Sequence, residues 1–104
     1  MGKYPRRKQR HLPHKLRQIR ESLGLSQSEI INRMGLADEL ERTIVSNFES
    51  GHREPSLHVL LQYAHVSGLC LEVIVDDELE MPKRLPRVPI HRGVMVKRKR
   101  PRGT

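Results

Sequence analysis

The side chains in this 104-residue chain whose type or spacing could support chemistry are few. His11 and His14 stand three apart, with no obvious further ligand beside them. His58 and His65 stand seven apart, which on one helix is about 10 Å of rise, too far to share an ion without more donors. No metal site is expected. Cys70, the single cysteine, follows Gly68 and Leu69 in an apolar run with no activating base, so it reads as a packed thiol. A lone cysteine also excludes a disulfide within the chain. Asp76, Asp77, Glu78, Glu80 and Lys83 are residue types that nucleases use, but the spacing is wrong and the acidic run ends just before Pro82. Neither a glycine-rich phosphate loop nor a nucleophile elbow occurs. The expectation is a protein with no catalytic residues and no cofactor.

Charge is the stronger signal. The chain carries 20 Lys and Arg against 12 Asp and Glu, a formal net charge of +8. Residues 1–24 hold eight basic side chains and one acid, a net +7. Residues 25–80 hold three basic and eleven acidic, a net −8. Residues 81–104 hold nine basic and no acid, a net +9. An acidic middle is thus flanked by two strongly basic ends. Charged tails can simply keep a small domain in solution. The sharper reading is a grip on a polyanion, where counterion release makes each neutralised phosphate count. Lys3, Arg6, Arg7, Lys8 and Arg10 form one basic arm, and Lys97, Arg98, Lys99 and Arg100, with Arg102, form another. The KRKRPR stretch also resembles a nuclear-import tract. The chain has no run of about 20 apolar residues to span a membrane, and no apolar run follows the basic start as in a secretory signal. A cytoplasmic, nucleoid-associated protein without a membrane partner is expected.

The elements that must hold these residues are helical. Residues 1–13 and 81–104 are rich in proline and charge, and neither end can bury enough apolar surface to offset ordering. They are expected as a mostly disordered arm and tail around one domain over residues 14–80. Leu16, Ile19 and Leu23 form a helical stripe that Gly24 stops. Ser26 and Glu29 have capping-box spacing, with Leu25 and Ile30 spaced as a hydrophobic staple around them. That second helix runs to about Met34, and Gly35 suits the left-handed residue after it. Asp38 and Glu41 have the spacing of a second capping box, predicting a third helix from there to Gly51. Leu40, Ile44, Val45 and Phe48 share one arc of it. Glu39, Arg42, Thr43, Ser46, Asn47 and Ser50 share the other. A fourth helix starts near Pro55 and Ser56, turns Leu57, Leu60, Leu61 and Ala64 inward, and stops at Gly68. Leu69–Val75 is short enough and β-branched enough to be a strand, or a fifth helix.

Together these residues resemble the phage-repressor/Cro type of helix-turn-helix protein, also called the xenobiotic-response-element family. The match is carried by Arg20-x-x-x-Gly24-Leu25-Ser26-Gln27, by Val45-Ser46-x-Phe48-Glu49-x-Gly51-x-Arg53-Glu54-Pro55-Ser56, and by the leucine-rich fourth helix. It covers about residues 14–76. The resemblance implies an all-α, compact lambda-repressor-like domain of four to five helices, and so a helix at 69–75. Between Gly35 and Glu49 this chain has about four residues more than the family usually has. Four residues are roughly one helical turn. The simplest reading adds an acidic turn, 38–41, to the front of the third helix.

In such proteins the second helix of the motif enters the major groove, a role the resemblance assigns to residues 39–50. Arg42, Thr43, Ser46 and Asn47 become the base-contact candidates, since Arg can bind guanine and Asn adenine through two hydrogen bonds each. Ser26 and Gln27 at a helix start, and His52 and Arg53 after the recognition helix, become the phosphate-contact candidates. Arg20 and Glu49 resemble the family's structural ion pair. The implied function is sequence-specific binding of double-stranded DNA as a transcriptional regulator, with repression expected. A homodimer on DNA is expected, because one short helix reads few base pairs; Leu69–Val75 and Leu79 are the candidate interface, unless they only close the core. Two alternatives stand beside it. One is an antitoxin-like module that binds a toxin or other protein partner, which the acidic middle favours. The other is non-specific nucleic-acid binding through the basic ends.

Overall fold

A computed structural model describes residues 9–86. The basic residues Lys3, Arg6, Arg7, Lys8, Lys97, Arg98, Lys99 and Arg100 lie outside the described residues. Among the described residues five helices follow one another: α1, Leu12–Ser22; α2, Gln27–Met34; α3, Arg42–Ser50; α4, Leu57–Ser67; and α5, Leu71–Val75. No strand occurs among the described residues, and none of the helices is long and apolar enough to cross a membrane. Leu16 and Ile19 of α1, Ile30 of α2, Val45 of α3, Tyr63 of α4 and Ile74 of α5 are fully buried together. Helix α1 packs against α3, α4 and α5, while α2 packs against α3 and α4.

The second helix forms as its sequence demands. Glu29 N–H donates to Ser26 Oγ at 3.0 Å, and Ser26 N–H donates to Glu29 Oε1 at 2.7 Å. Ile30 is buried, and half-buried Leu25 packs against the core. Gly35 has φ +75°, a conformation that would strain any residue with a Cβ.

The third helix departs from expectation. It starts at Arg42, with Glu41 as an extended N-cap whose side chain makes no capping bond. Residues 38–41 add no turn to it. Leu36 is buried, and its carbonyl accepts from both Glu39 N–H and Leu40 N–H at 2.9 Å. The added residues therefore form a tight turn in the α2–α3 connection, tethered to the core by Leu36 and by half-buried Leu40. Capping-box spacing at Asp38 and Glu41 did not decide the matter, because burying two leucines four residues apart fixes the turn first.

Helix α4 turns a different face inward than its leucines suggest. Leu60 and Ala64 are buried as expected, but Leu57 is 72% exposed and Leu61 41%. Val59, Tyr63 and Ser67 fill the core instead. Apolar residues occur around most of this helix, so periodicity cannot select its buried side. Residues 69–75 close the core more than they present a surface. Leu69 and Ile74 are buried, and Leu71, Val73 and Val75 pack against the core, leaving Leu79 exposed.

The fold also extends past both expected boundaries. Leu12 is buried and α1 starts there, with Pro13 in its first turn, where a missing N–H costs nothing. The Asp77 carboxylate accepts from Arg10 N–H at 2.8 Å and His11 N–H at 3.1 Å. At the other end, Met81 and Leu85 pack against the core.

Candidate nucleic-acid interface

Two faces of α3 divide its work. Val45 and Phe48 are buried, with Ile44 half-buried beside them. Arg42, Thr43, Ser46 and Asn47 are exposed on the outward side, and their side chains make no hydrogen bond or ion pair among the described residues. Four neighbouring polar groups are thus presented without internal partners. Bond-forming groups left open in this way suit recognition of an external ligand.

What holds this face in place is Glu49. Its side chain is only 6% exposed and meets that of Arg20, 15% exposed, through Nε at 2.7 Å and Nη2 at 3.0 Å. Arg20 Nη1 also donates to the Leu25 carbonyl at 2.9 Å. Gln27 Nε2 donates to Glu49 Oε1 at 3.2 Å. One carboxylate therefore joins α1, α2 and α3. Its hydrogen bond pushes the Arg20 guanidinium above its ordinary pKa. Burial, with the charge of Glu49 adding to it, pushes the Tyr63 phenol well up as well. Residues reading as far apart as 20 and 49 are brought together because α1 lies across α3.

The remaining candidates sit at the ends of these helices. Ser26 Oγ is spent as an acceptor on the α2 cap but stays exposed, with its own proton free to donate. Gln27 gives one amide N–H to Glu49 and retains a second. Gly51, at φ +84°, turns the chain out of α3. His52 N–H and Arg53 N–H then both donate to the Asn47 carbonyl, at 3.0 and 3.2 Å. The side chains of His52 and Arg53 are exposed, and His52 Nδ1 lies 2.6 Å from Ser50 Oγ. Gln9 lines a small cleft with Arg53, Glu54 and Pro55, so the chain enters the fold beside this turn. Of the basic arm residues, Arg10 alone falls within the description; its side chain is exposed while its backbone is docked on Asp77.

Two anchoring residues escaped sequence reasoning. Lys15 is buried, and its ammonium donates to the carbonyls of Val73, Asp76 and Leu79 at 2.8, 2.9 and 2.8 Å. All three of its protons are used. Asp77, read only as part of an acidic run, caps the start of α1. Asp76 Oδ1 accepts from Glu78 N–H at 2.9 Å. The acidic run is thus partly consumed in caps and turns. Among the described residues no group of three or more His, Cys, Asp or Glu is placed to hold a metal. His58 lies 3.9 Å from Glu39 of the α2–α3 turn, and Cys70 is a half-buried free thiol at the start of α5.

Comparison with known proteins gives one family. A helix-turn-helix family model matches residues 16–69, which runs from within α1 through α4 and ends at Leu69. No curated protein matches, and neither does any solved structure. The matched span exceeds half the chain and contains Arg20, Ser26, Gln27, the outward face of α3, Glu49 and the turn after it. The chain belongs to the Cro/C1-type helix-turn-helix family, a family of DNA-binding transcription regulators and not of enzymes.

Proposed function

We propose that the protein binds specific double-stranded sequences as a homodimeric transcriptional repressor, with α3 in the major groove. The observation that carries this is the exposed, internally unpartnered set Arg42, Thr43, Ser46 and Asn47 on a helix held rigidly by Glu49. Arg42 is suited to guanine and Asn47 to adenine, and Thr43 to a thymine methyl. Gln27 and Ser26 at the start of α2, and His52 and Arg53 after α3, are placed to reach flanking phosphates. The basic arm and tail add sequence-independent attraction. The acids of the 36–41 turn lie next to the front of α3 and disfavour arbitrary phosphate contact there by like-charge repulsion.

Selection of bound fragments from source genomic DNA at physiological salt tests this, with wild type beside Arg42→Ala/Asn47→Ala. Wild type is expected to enrich a short inverted repeat that the variant loses, each bidentate contact being worth about 1–3 kcal/mol of discrimination. Recovery of the same featureless DNA by both would sink base reading by α3 and leave charge-driven binding. A protein-interaction role, antitoxin-like, is the second reading. It is favoured by Leu57 and Leu61, which expose adjacent apolar surface on α4. It predicts a stoichiometric complex that survives high salt and is lost on Leu57→Ser/Leu61→Ser.

A further inference from the structure

A crevice of about 320 Å³ lies between α1 and the outward side of α3, lined by Arg17, Arg20, Gln27, Ser46, Glu49 and Ser50. Its ionic pair is closed. Arg20 and Glu49 bond each other, and Gln27 takes the Oε1 atom of the carboxylate as well. Its remaining cation is different. Arg17 is 59% exposed, and its Nε bonds Glu21 Oε2 at 2.9 Å, one turn further along the same helix. Glu21 is itself more than half exposed. An exposed pair of this kind is weak and screened by salt, so its carboxylate is easily displaced.

We infer that Arg17 grips a DNA phosphate at the mouth of this crevice, beside Gln27 and Ser46, and that Glu21 holds its place in the free protein. The inference rests on the DNA-binding reading above. The phosphate chemistry follows from what surrounds the mouth. The first N–H groups of the eight-residue α2 start at Gln27, where the helix dipole favours an anion. Ser46 supplies a free hydroxyl donor from α3, whereas the Ser50 hydroxyl is already bonded to the Asn47 carbonyl, and a guanidinium forks onto phosphate oxygens as readily as onto a carboxylate. Glu49 lines the crevice too, but its charge is neutralised by Arg20. Glu21 therefore acts as an internal competitor: duplex binding exchanges a carboxylate partner for a phosphate one.

The test is the salt dependence of affinity of the full chain for the repeat that wild type selects and for a scrambled duplex of equal length. Wild type, R17A, E21Q and R17A/E21Q are compared. Loss of one phosphate contact should lower the slope of log affinity against log salt by about 0.9, and weaken binding about five-fold at 0.15 M salt, on both duplexes alike. E21Q should tighten binding, and the double variant should bind as R17A does. A wild-type slope for R17A overturns the inference. A gain from E21Q that survives without Arg17 overturns the exchange, because Glu21 would then act by general repulsion. Failure of the base-reading proposal is separately visible, as a wild type that selects no repeat while the scrambled duplex still reports the Arg17 slope. Circular dichroism of R17A, expected to match wild type because the side chain is exposed, excludes misfolding as the cause of a loss.

Discussion

Helix α1 carries two cations into the protein, and they are anchored in opposite ways. Arg20 meets a side chain, the Glu49 carboxylate of α3, at 2.7 Å. Lys15, earlier on the helix, meets main chain, the carbonyls of Val73, Asp76 and Leu79 at the end of α5 and in the turn beyond. The first contact orients the helix that presents the outward polar face. The second ties down the segment that closes the core. They also differ in what they ask of the sequence. The ion pair needs one residue type at each of two positions. The lysine needs only itself, because any residue at 73, 76 or 79 supplies a carbonyl.

Breaking the ion pair has the largest expected effect. Glu49→Ala leaves Arg20 mostly buried without its carboxylate and removes the acceptor of Gln27. A loss of about 3–5 kcal/mol in denaturant unfolding is expected, a large fraction of what a domain this small possesses. Lys15→Met sharpens the contrast. The stem still packs, but three carbonyls lose their donor, at an expected cost of about 2 kcal/mol. The two variants should separate in function. Measured well below the unfolding midpoint, Lys15→Met should bind DNA as wild type does, since its partners lie away from α3. A change of DNA affinity in folded Lys15→Met would show that the closing segment and the reading face are coupled.

The same difference explains what was legible in the sequence. The capping box at Ser26 and Glu29, Gly35 and the stop at Gly51 leave residue types at fixed offsets that could be read directly, while the Arg20–Glu49 pair became legible only through the family resemblance. Lys15 leaves no such trace, and neither does the burial of Tyr63 over Leu57, since α4 is apolar on most of its surface. The 38–41 segment failed for another reason. Its local signal was correct as a pattern, yet tertiary burial of Leu36 and Leu40 set the backbone. Of the candidate interface, the exposed set on α3 followed from helical spacing, whereas the crevice beside Arg17 depends on how α1 crosses α3.

A smaller effect belongs to the closing side alone. Bonds from Arg10 N–H and then His11 N–H hold the carboxyl of half-buried Asp77 below the ordinary range. A lowered folded-state pKa means the unfolded chain binds more protons in the window between the two values. The stabilisation is therefore complete above the ordinary carboxylate value of about 3.9 and is lost as pH falls through the lowered folded value. Melting temperatures of wild type and Asp77→Ala should differ at pH 6 and converge only in that acid window. Convergence already at pH 5–6 would mean that a histidine, and not Asp77, controls the docking of residues 10 and 11.

The smallest expected effect lies under the reading side. Tyr63 is fully buried, and its hydroxyl has no hydrogen-bond partner among the described residues. It nevertheless feels the charges of Glu49 and Arg20, which raise and lower its pKa respectively. A buried hydroxyl without a partner has lost its water and gained nothing in return, so Tyr63→Phe keeps the packing and removes the penalty. Unfolding free energy should stay constant or rise by up to about 1 kcal/mol, while Tyr63→Ala, which leaves a cavity, should cost about 3–5 kcal/mol. A loss of more than about 1 kcal/mol in Tyr63→Phe would mean that the hydroxyl belongs to the Arg20–Glu49 network. In that case the side-chain anchor of α1 would have four members and not three, and the Glu49→Ala and Tyr63→Phe losses would fail to add.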